Sequence, residues 1–400
     1  MKFVQVIGVV FAFCGVAFGA ALPPGNWYEP VHAALQRAID RRAGDPDAYA
    51  VFDFDNTIPI GDGEQVALGY VIDNLLFAFS PDEAPAIFLD GVPDPDRPIE
   101  PGHPTATTQN VVLDCADLHR ELLALAARQP LAEVRKTDAF AAFAAKVRYL
   151  RKRISRTFGN AFGYPWNKRF YCRMTPAQYR ATMHAALDEA FADGRFIRGI
   201  WRTPASRPGR AGCVELPMLR GFCIPQEVKD LIRTLQKSGV DVYIVSGSFL
   251  DAIVPSVDGR YGVDIPEANV YAIHMQTDAQ GRLAGWADER FPFPWAESKP
   301  DVIRKHIAVR YHGKGPMLVA GDADGDYAML TSFADMDVGL VFDTRPKPDT
   351  PLGKLISSVR AGTADKRFLV QGRDETAPGL RKSSESIIAP FTIFEAPPRP

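Results

Sequence analysis

Cysteine is scarce in this 400-residue chain, at five residues. No CxxC pair occurs and the seven histidines show no metal-ligand spacing, so the chain carries no zinc-site signature. Charge of one sign is lacking too: 46 Lys and Arg face 48 Asp and Glu, a formal net charge of -2. That balance gives no global bias toward nucleic acid or an anionic membrane. Internal repeats are absent. At 46% hydrophobic and 24% charged residues, the composition is that of a globular chain able to bury a substantial core. Its length suits two or three domain-sized units, or one core with a large insertion.

The N-terminus reads as an export signal. Lys2 supplies a minimal positive region, Val4 to Phe18 is apolar apart from Gln5, and Ala17, Gly19, Ala20 and Ala21 are small. Cleavage is expected after Gly19 or Ala21. The competing reading is an uncleaved anchor, since Phe3 to Leu22 is roughly 20 residues, just enough to span. Phe13 before Cys14 does not fit a lipoprotein site. An exported chain with Cys115, Cys172, Cys213 and Cys223 left after cleavage permits two disulfides. The short loop between them favours Cys213 with Cys223, leaving Cys115 with Cys172.

The chain is organised around Ala50-Val51-Phe52-Asp53-Phe54-Asp55-Asn56-Thr57. An apolar run without turn residues reads as a central parallel strand. Two carboxylates crowd its C-terminal end, where open α/β sheets bind ligands. A helix over Pro30–Ala43 precedes it. Gly61-Asp62-Gly63 marks a turn, and Glu64–Phe79 has helical apolar spacing.

From about Ser80 to Arg220 the character changes. Pro81–Pro104 reads as a long loop. Helical stretches follow at Val111–Ala127, Thr137–Phe158 and Thr175–Ala192, the last opened by a capping box of Thr175 and Gln178 with Pro176 at the first position. Gly194–Gly212 reads as loop. The run Lys146, Arg148, Arg151, Lys152, Arg153 and Arg156 spreads around several helix faces and reads as solvated surface. The whole stretch is expected to be one inserted, mainly helical domain over residues 80–220.

At Pro225 the α/β rhythm returns. A helix at Gln226–Ser238 stops at Gly239 and leads to a strand at Val240–Val245 ending in Ser246-Gly247-Ser248. Further strands fall at Asn269–His274, Pro316–Ala320 and Asp337–Phe342, with a hairpin return after Gly281. Helices fall at Lys299–Arg310 and Leu352–Val359. Strands separated by helices of this length imply a doubly wound parallel sheet, an α/β fold, built from residues 22–79 and 221–390. Residues 391–400 read as a flexible tail.

Three strand ends then carry polar groups: Asp53 with Asp55, Ser246, and Asp322 with Asp326. Lys299 opens the helix before the last of these. In a parallel sheet these ends share one edge. Four carboxylates at close range are unfavourable without a cation, so the set implies a hard divalent ion with oxygen ligands, Mg²⁺ above all. Lys299 and the backbone N–H groups at Phe54 and Gly247 offer donors for an anion. Metal, anion donors and a carboxylate nucleophile together equip a site for phosphoryl transfer. Singly, each residue has a plainer reading: Ser246 as a helix cap, Lys299 as surface, Asp322 and Asp326 as turn residues. Jointly those readings need several coincidences at strand ends.

These residues resemble the four motifs of the haloacid dehalogenase superfamily, phosphatase branch: Asp53-Phe54-Asp55-Asn56-Thr57, Val245-Ser246, Lys299, and Gly321-Asp322 through Gly325-Asp326. The insert between the first two motifs resembles the helical cap of the phosphoserine phosphatase-like group. The leader, Asp55-Asn56-Thr57, the run from Gly321 to Leu330 and Gln371-Gly372-Arg373-Asp374-Glu375 resemble exported bacterial phosphatases, phosphorylcholine phosphatases among them. The resemblance implies that Asp53 is the nucleophile and Asp55 the general acid and base. It implies Mg²⁺ on the Asp53 carboxylate, the Asp55 carbonyl and Asp322, with Asp326 supporting the metal's waters or Lys299. Ser246, Thr57 and Gly247 would hold phosphate oxygens.

The expected partner is a small phosphomonoester, with no nucleic acid and no stable membrane association after cleavage, in the periplasm or outside the cell. A choline group would call for an aromatic cage with a nearby acid, for which Tyr164, Trp166, Tyr171, Trp201, Asp62 and Glu64 are candidates. The plainer reading is that these aromatics fill the cap's own core. A broad-specificity acid phosphatase, or a secreted binding protein on the same fold, are the alternatives.

Overall fold

The computed structural model describes residues 19–394. Most of the expected leader and the proline-rich end lie outside the described residues. Among those described, no helix is long and apolar enough to cross a membrane.

Six parallel strands form the central sheet, in the order Phe368–Gln371, Val338–Phe342, Leu318–Gly321, Tyr49–Phe52, Asp241–Phe249, Val270–Ile273. Tyr49–Phe52 is central and wholly buried. Alternation along it divides the interior. Ala50 and Phe52 pack with Val242, Ile244, Leu318 and Leu340 and with the helices Glu29–Arg42 and Gln226–Lys237. Tyr49 and Val51 pack on the opposite face with Tyr243, Val319 and Val341, beneath Val302, Met329 and Ile356. Helices on both faces make the fold doubly wound, an α/β class in which each strand is covered twice. The chain passes from Tyr49–Phe52 to Asp241–Phe249 on one side and later returns to Leu318–Gly321 on the other. The central strand is therefore a topological switch point, and the crevice beyond its C-terminal end is where ligands bind in such sheets.

A large insert after the helix Gly63–Asn74 roofs this edge. Its main helices are Thr108–Ala126, Asp138–Phe158 and Pro176–Asp193. Thr175 and Gln178 do form the capping box. The segment expected as loop contains a strand, Ile197–Arg202, paired antiparallel with Glu215–Arg220. The expected flexible tail also differs: Phe391–Phe394 adds to this sheet as a parallel strand beside Ile197–Arg202. Main-chain pairing to a waiting edge orders what its composition leaves undecided.

Two further expectations are corrected. The four described cysteines are free. Between Cys213 and Cys223 runs the extended strand Glu215–Arg220. A strand of that length covers roughly 17–20 Å, whereas a disulfide needs Cα atoms within about 7 Å. Cys172 lies over Gly285 of the hairpin, while Cys115 faces Phe77, His119 and Phe143.

The basic run is solvated only in part: Lys152 and Arg156 are exposed, whereas Lys146 and Arg148 are buried. Lys146 is fully buried and donates to Asp114 (2.6 Å), the Pro208 carbonyl (2.7 Å) and the Gly212 carbonyl (3.1 Å). Asp114 also accepts from the Arg210 and Ala211 amides. Removing one partner of a buried pair leaves the other charge uncompensated. Lys146→Ala should therefore lower the unfolding free energy by about 3–5 kcal/mol in urea titrations; a change of only about 0.5 kcal/mol would mean that Lys146 is solvated after all.

Candidate active site

Asp53 follows the central strand directly. Its amide continues the ladder to the Ala320 carbonyl at 2.9 Å, which fixes the carboxylate at the sheet edge. The next turn closes tightly: Thr57 and Ile58 amides donate to the Phe54 carbonyl at 3.0 and 2.9 Å. Asn56 takes a left-handed conformation (φ 59°), which asparagine tolerates better than most residues. The buried Arg373 clamps this turn, donating to the Asn56 carbonyl at 2.7 Å.

Lys299 is buried and donates to both Asp53 and Asp326 at 2.6 Å. The other Asp326 oxygen accepts the Asp322 and Ala323 amides, both at 3.0 Å. Gly321 is required here, because a Cβ would come within 2.6 Å of the Asp326 Cβ. Asp322 accepts from the Thr57 hydroxyl at 3.2 Å. Asp53, Asp322 and Asp326 thus gather carboxylate oxygens within 4.8 Å of one another, all three residues buried.

Burial comes first among the forces on these acids. It raises Asp53 to about 6, helped by the Asp326 charge and opposed by Lys299. Burial and the Asp326 and Asp53 charges lift Asp322. Burial pulls the Lys299 ammonium down, but the Asp326 and Asp53 charges outweigh it and the group is raised.

Asp55 stands apart from this cluster. It accepts from the Ser248 hydroxyl and from the Gly63 amide at 2.8 Å. Burial, then the Asp62 charge, pushes its carboxyl well above the ordinary range. Ser248 reaches it because the strand Asp241–Phe249 slips register against its neighbour after Val245, and such irregularities re-aim side chains at a sheet edge. Ser246 is buried on the same stretch. Gly247 passes so close beneath Tyr164 that a Cβ would sit 3.3 Å from the ring.

Asp53, Asp55, Ser246, Gly247, Lys299, Asp322 and Asp326 all line one cavity of about 630 Å³ between sheet edge and cap. Thr57 sits behind it against Asp322, and the Phe54 side chain is in the core. The cage candidates divide. Asp62, Glu64 and Tyr164 line the cavity. Trp166 is buried and donates to the Phe88 carbonyl, and Tyr171 is buried with its hydroxyl on the Glu64 carbonyl. Trp201 lines a different cleft, beneath Arg148. The two cage acids are also engaged. Glu64 pairs with Lys168 and accepts the Phe249 amide, and Arg151 reaches Asp62 at 3.4 Å and Glu64 at 3.8 Å. Ser248, Arg373, Arg151, Lys152 and Arg156 were read within their stretches but given no role at the site, and Trp295 was not singled out. The basic run carried a signal, but its helix gave it several faces.

The fold and this crevice define an α/β protein with a doubly wound parallel sheet, an acidic site at its switch point and a helical cap above it. No family model matches the chain, and no curated protein matches it. Among solved structures, a conserved protein of unknown function from Anaerococcus prevotii has the same fold, with a TM-score of 0.81 at 24% identity over 92% of this chain and 99% of that one. A substrate-bound phosphoserine phosphatase gives a TM-score of 0.33 at 13% identity, over 77% of this chain and 89% of that one. A protein of unknown function from Bordetella pertussis gives 0.37 at 12%, over 79% and 96%. At such scores the last two carry no argument.

The raised Asp53 has a consequence for stability. A group with a raised folded pKa contributes stability that is complete below its unfolded pKa and is lost as pH rises through the folded value, about 6 here. In metal-free buffer, the wild-type chain should therefore gain thermal stability relative to Asp53→Asn as pH falls from about 7.5 to about 5. A pH-independent difference in melting temperature would contradict this electrostatic picture.

Proposed function

We propose that the chain is a Mg²⁺-dependent phosphomonoester hydrolase of the haloacid dehalogenase superfamily, exported and working through an aspartyl-phosphate. One observation carries this reading. Lys299 bridges Asp53 and Asp326 beside Asp322, while Asp55 is held apart on Ser248 and Gly63. Lys299 favours the ionised form of Asp53, whereas burial and the Asp62 charge push Asp55 upward, and two acids in such different settings suit acid–base chemistry.

The residues present fit a hard divalent cation: three buried carboxylates, no sulfur or nitrogen ligand, and mutual repulsion awaiting a counter-charge. Asp53, Asp322 and Asp326 would hold it, and it would supply positive charge to the phosphate. In the first half-reaction an Asp53 oxygen attacks phosphorus, the ester P–O bond breaks, and the leaving oxygen takes the Asp55 proton. In the second, Asp55 takes a proton from water as its oxygen attacks the aspartyl-phosphate. Phosphate leaves and both acids are restored. Lys299 offsets charge on Asp53 and on the phosphate. Ser246 and the Gly247 amide lie where the phosphate oxygens would be held.

A choline ester would find no cage in Trp166, Tyr171 and Trp201, which lie away from the cavity, nor a free acid in Asp62 or Glu64, which are already paired; it would have to rely on Tyr164, Trp295 and Glu297. A non-catalytic binding protein is disfavoured by Asp55, whose placement serves proton transfer.

Purified mature chain should release phosphate from p-nitrophenyl phosphate with Mg²⁺ and stop when the metal is chelated. Asp53→Asn should lower kcat by at least about 10³-fold, as loss of a nucleophile does. Equal release from the variant would refute Asp53 as nucleophile, and no release from any ester would favour the binding-protein reading.

A further inference from the structure

Six basic residues follow one another along the helix Asp138–Phe158. Four have acidic partners: Lys146 with Asp114, Arg148 with Asp73, Arg151 with Asp62 and Glu64, and Arg153 with Glu100. Lys152 and Arg156 have none among the described residues, and both line the active-site cavity. They are four apart on the helix, so they share a face where like charges repel. Desolvation in the cavity mouth, then the Arg151 and Arg156 charges, pull the Lys152 ammonium below its ordinary value, against the weaker pull of the Asp62 charge. Arg156 gains from the helix C-terminus; Lys152, a turn earlier, gains little.

Two cations with no acid at ion-pair distance, side by side on a cavity lining, attract and orient an anion. The phosphate being cleaved is accounted for at the sheet edge by Lys299 and the acid cluster, so these two cations, on the cap, face the other end of the substrate. We propose that Lys152 and Arg156 form an anion subsite for the leaving group. The substrate would then be a phosphomonoester whose alcohol carries a carboxylate or a second phosphate. This rests on the phosphatase reading above. The same cavity also offers Tyr164, Trp295 and Glu297, the last with no ion-pair partner among the described residues, the groups a cationic head would use instead.

The test is kcat/KM for four esters with Mg²⁺: phosphoglycolate for a carboxylate, fructose 1,6-bisphosphate for a second phosphate, phenyl phosphate as neutral, phosphorylcholine as cationic. Wild type should prefer one or both anionic esters over phenyl phosphate by at least about tenfold, the preference falling with added salt. Lys152→Ala/Arg156→Ala should reduce that ratio at least about tenfold, mainly through KM, and Lys152→Arg/Arg156→Lys should restore it. A ratio unmoved by the double alanine variant would overturn the subsite while leaving the phosphatase standing. So would a preference for phosphorylcholine. Hydrolysis of none of the four esters by wild type would overturn the phosphatase reading and the subsite with it.

Discussion

One buried ammonium governs this molecule. Lys299 contacts Asp53 at the end of the central strand and Asp326 beyond the strand Leu318–Gly321. Without it, Asp53, Asp322 and Asp326 would crowd together in a desolvated pocket with only the Arg373 charge, acting on Asp322, to offset them. A single lysine cannot balance three such acids. Asp53 and Asp322 are accordingly pushed upward, and the cluster is poised to accept a further cation. The supporting geometry serves the same end. Gly321 gives Asp326 room, and Arg373 fixes the turn that carries Asp55.

The cap adds a second layer of charge. Lys168 and Arg151 reach down from it to Glu64 and Asp62 at the start of the helix Gly63–Asn74. Buried pairs of this kind fix geometry more than they add stability. Here they set the cap over the crevice and occupy two of the acids open to a cationic ligand. The cations left over, Lys152 and Arg156, face the cavity. The cap thus offers a potential opposite in sign to that of the acid cluster below.

Much of this was legible in the sequence, for physical reasons. The core strands are apolar runs bounded by turn residues, and polar groups at their ends must share one edge of a parallel sheet. That logic brought Asp53, Asp55, Ser246, Lys299, Asp322 and Asp326 into one place before any coordinates. The cap was less readable. Amphipathic spacing located its helices, but which face of Asp138–Phe158 meets the cavity depends on tertiary packing, so Lys152 and Arg156 were indistinguishable from Lys146, which is buried. Phe391–Phe394 and Ile197–Arg202 form strands only because an edge is there to pair with. The disulfide expectation failed because loop length counts residues, whereas Glu215–Arg220 is fully extended. Arg373 lies more than 300 residues from the turn it holds, and no local pattern reports such a contact.

The central claim is that Asp53 forms the covalent bond to phosphorus. Mass spectrometry of the protein, acid-quenched while it is incubated with a phosphomonoester and Mg²⁺, tests it directly. The account predicts a phosphoryl adduct on the peptide containing Asp53, absent from Asp53→Asn. Steady phosphate release with no adduct, or an adduct on any other residue, would contradict it.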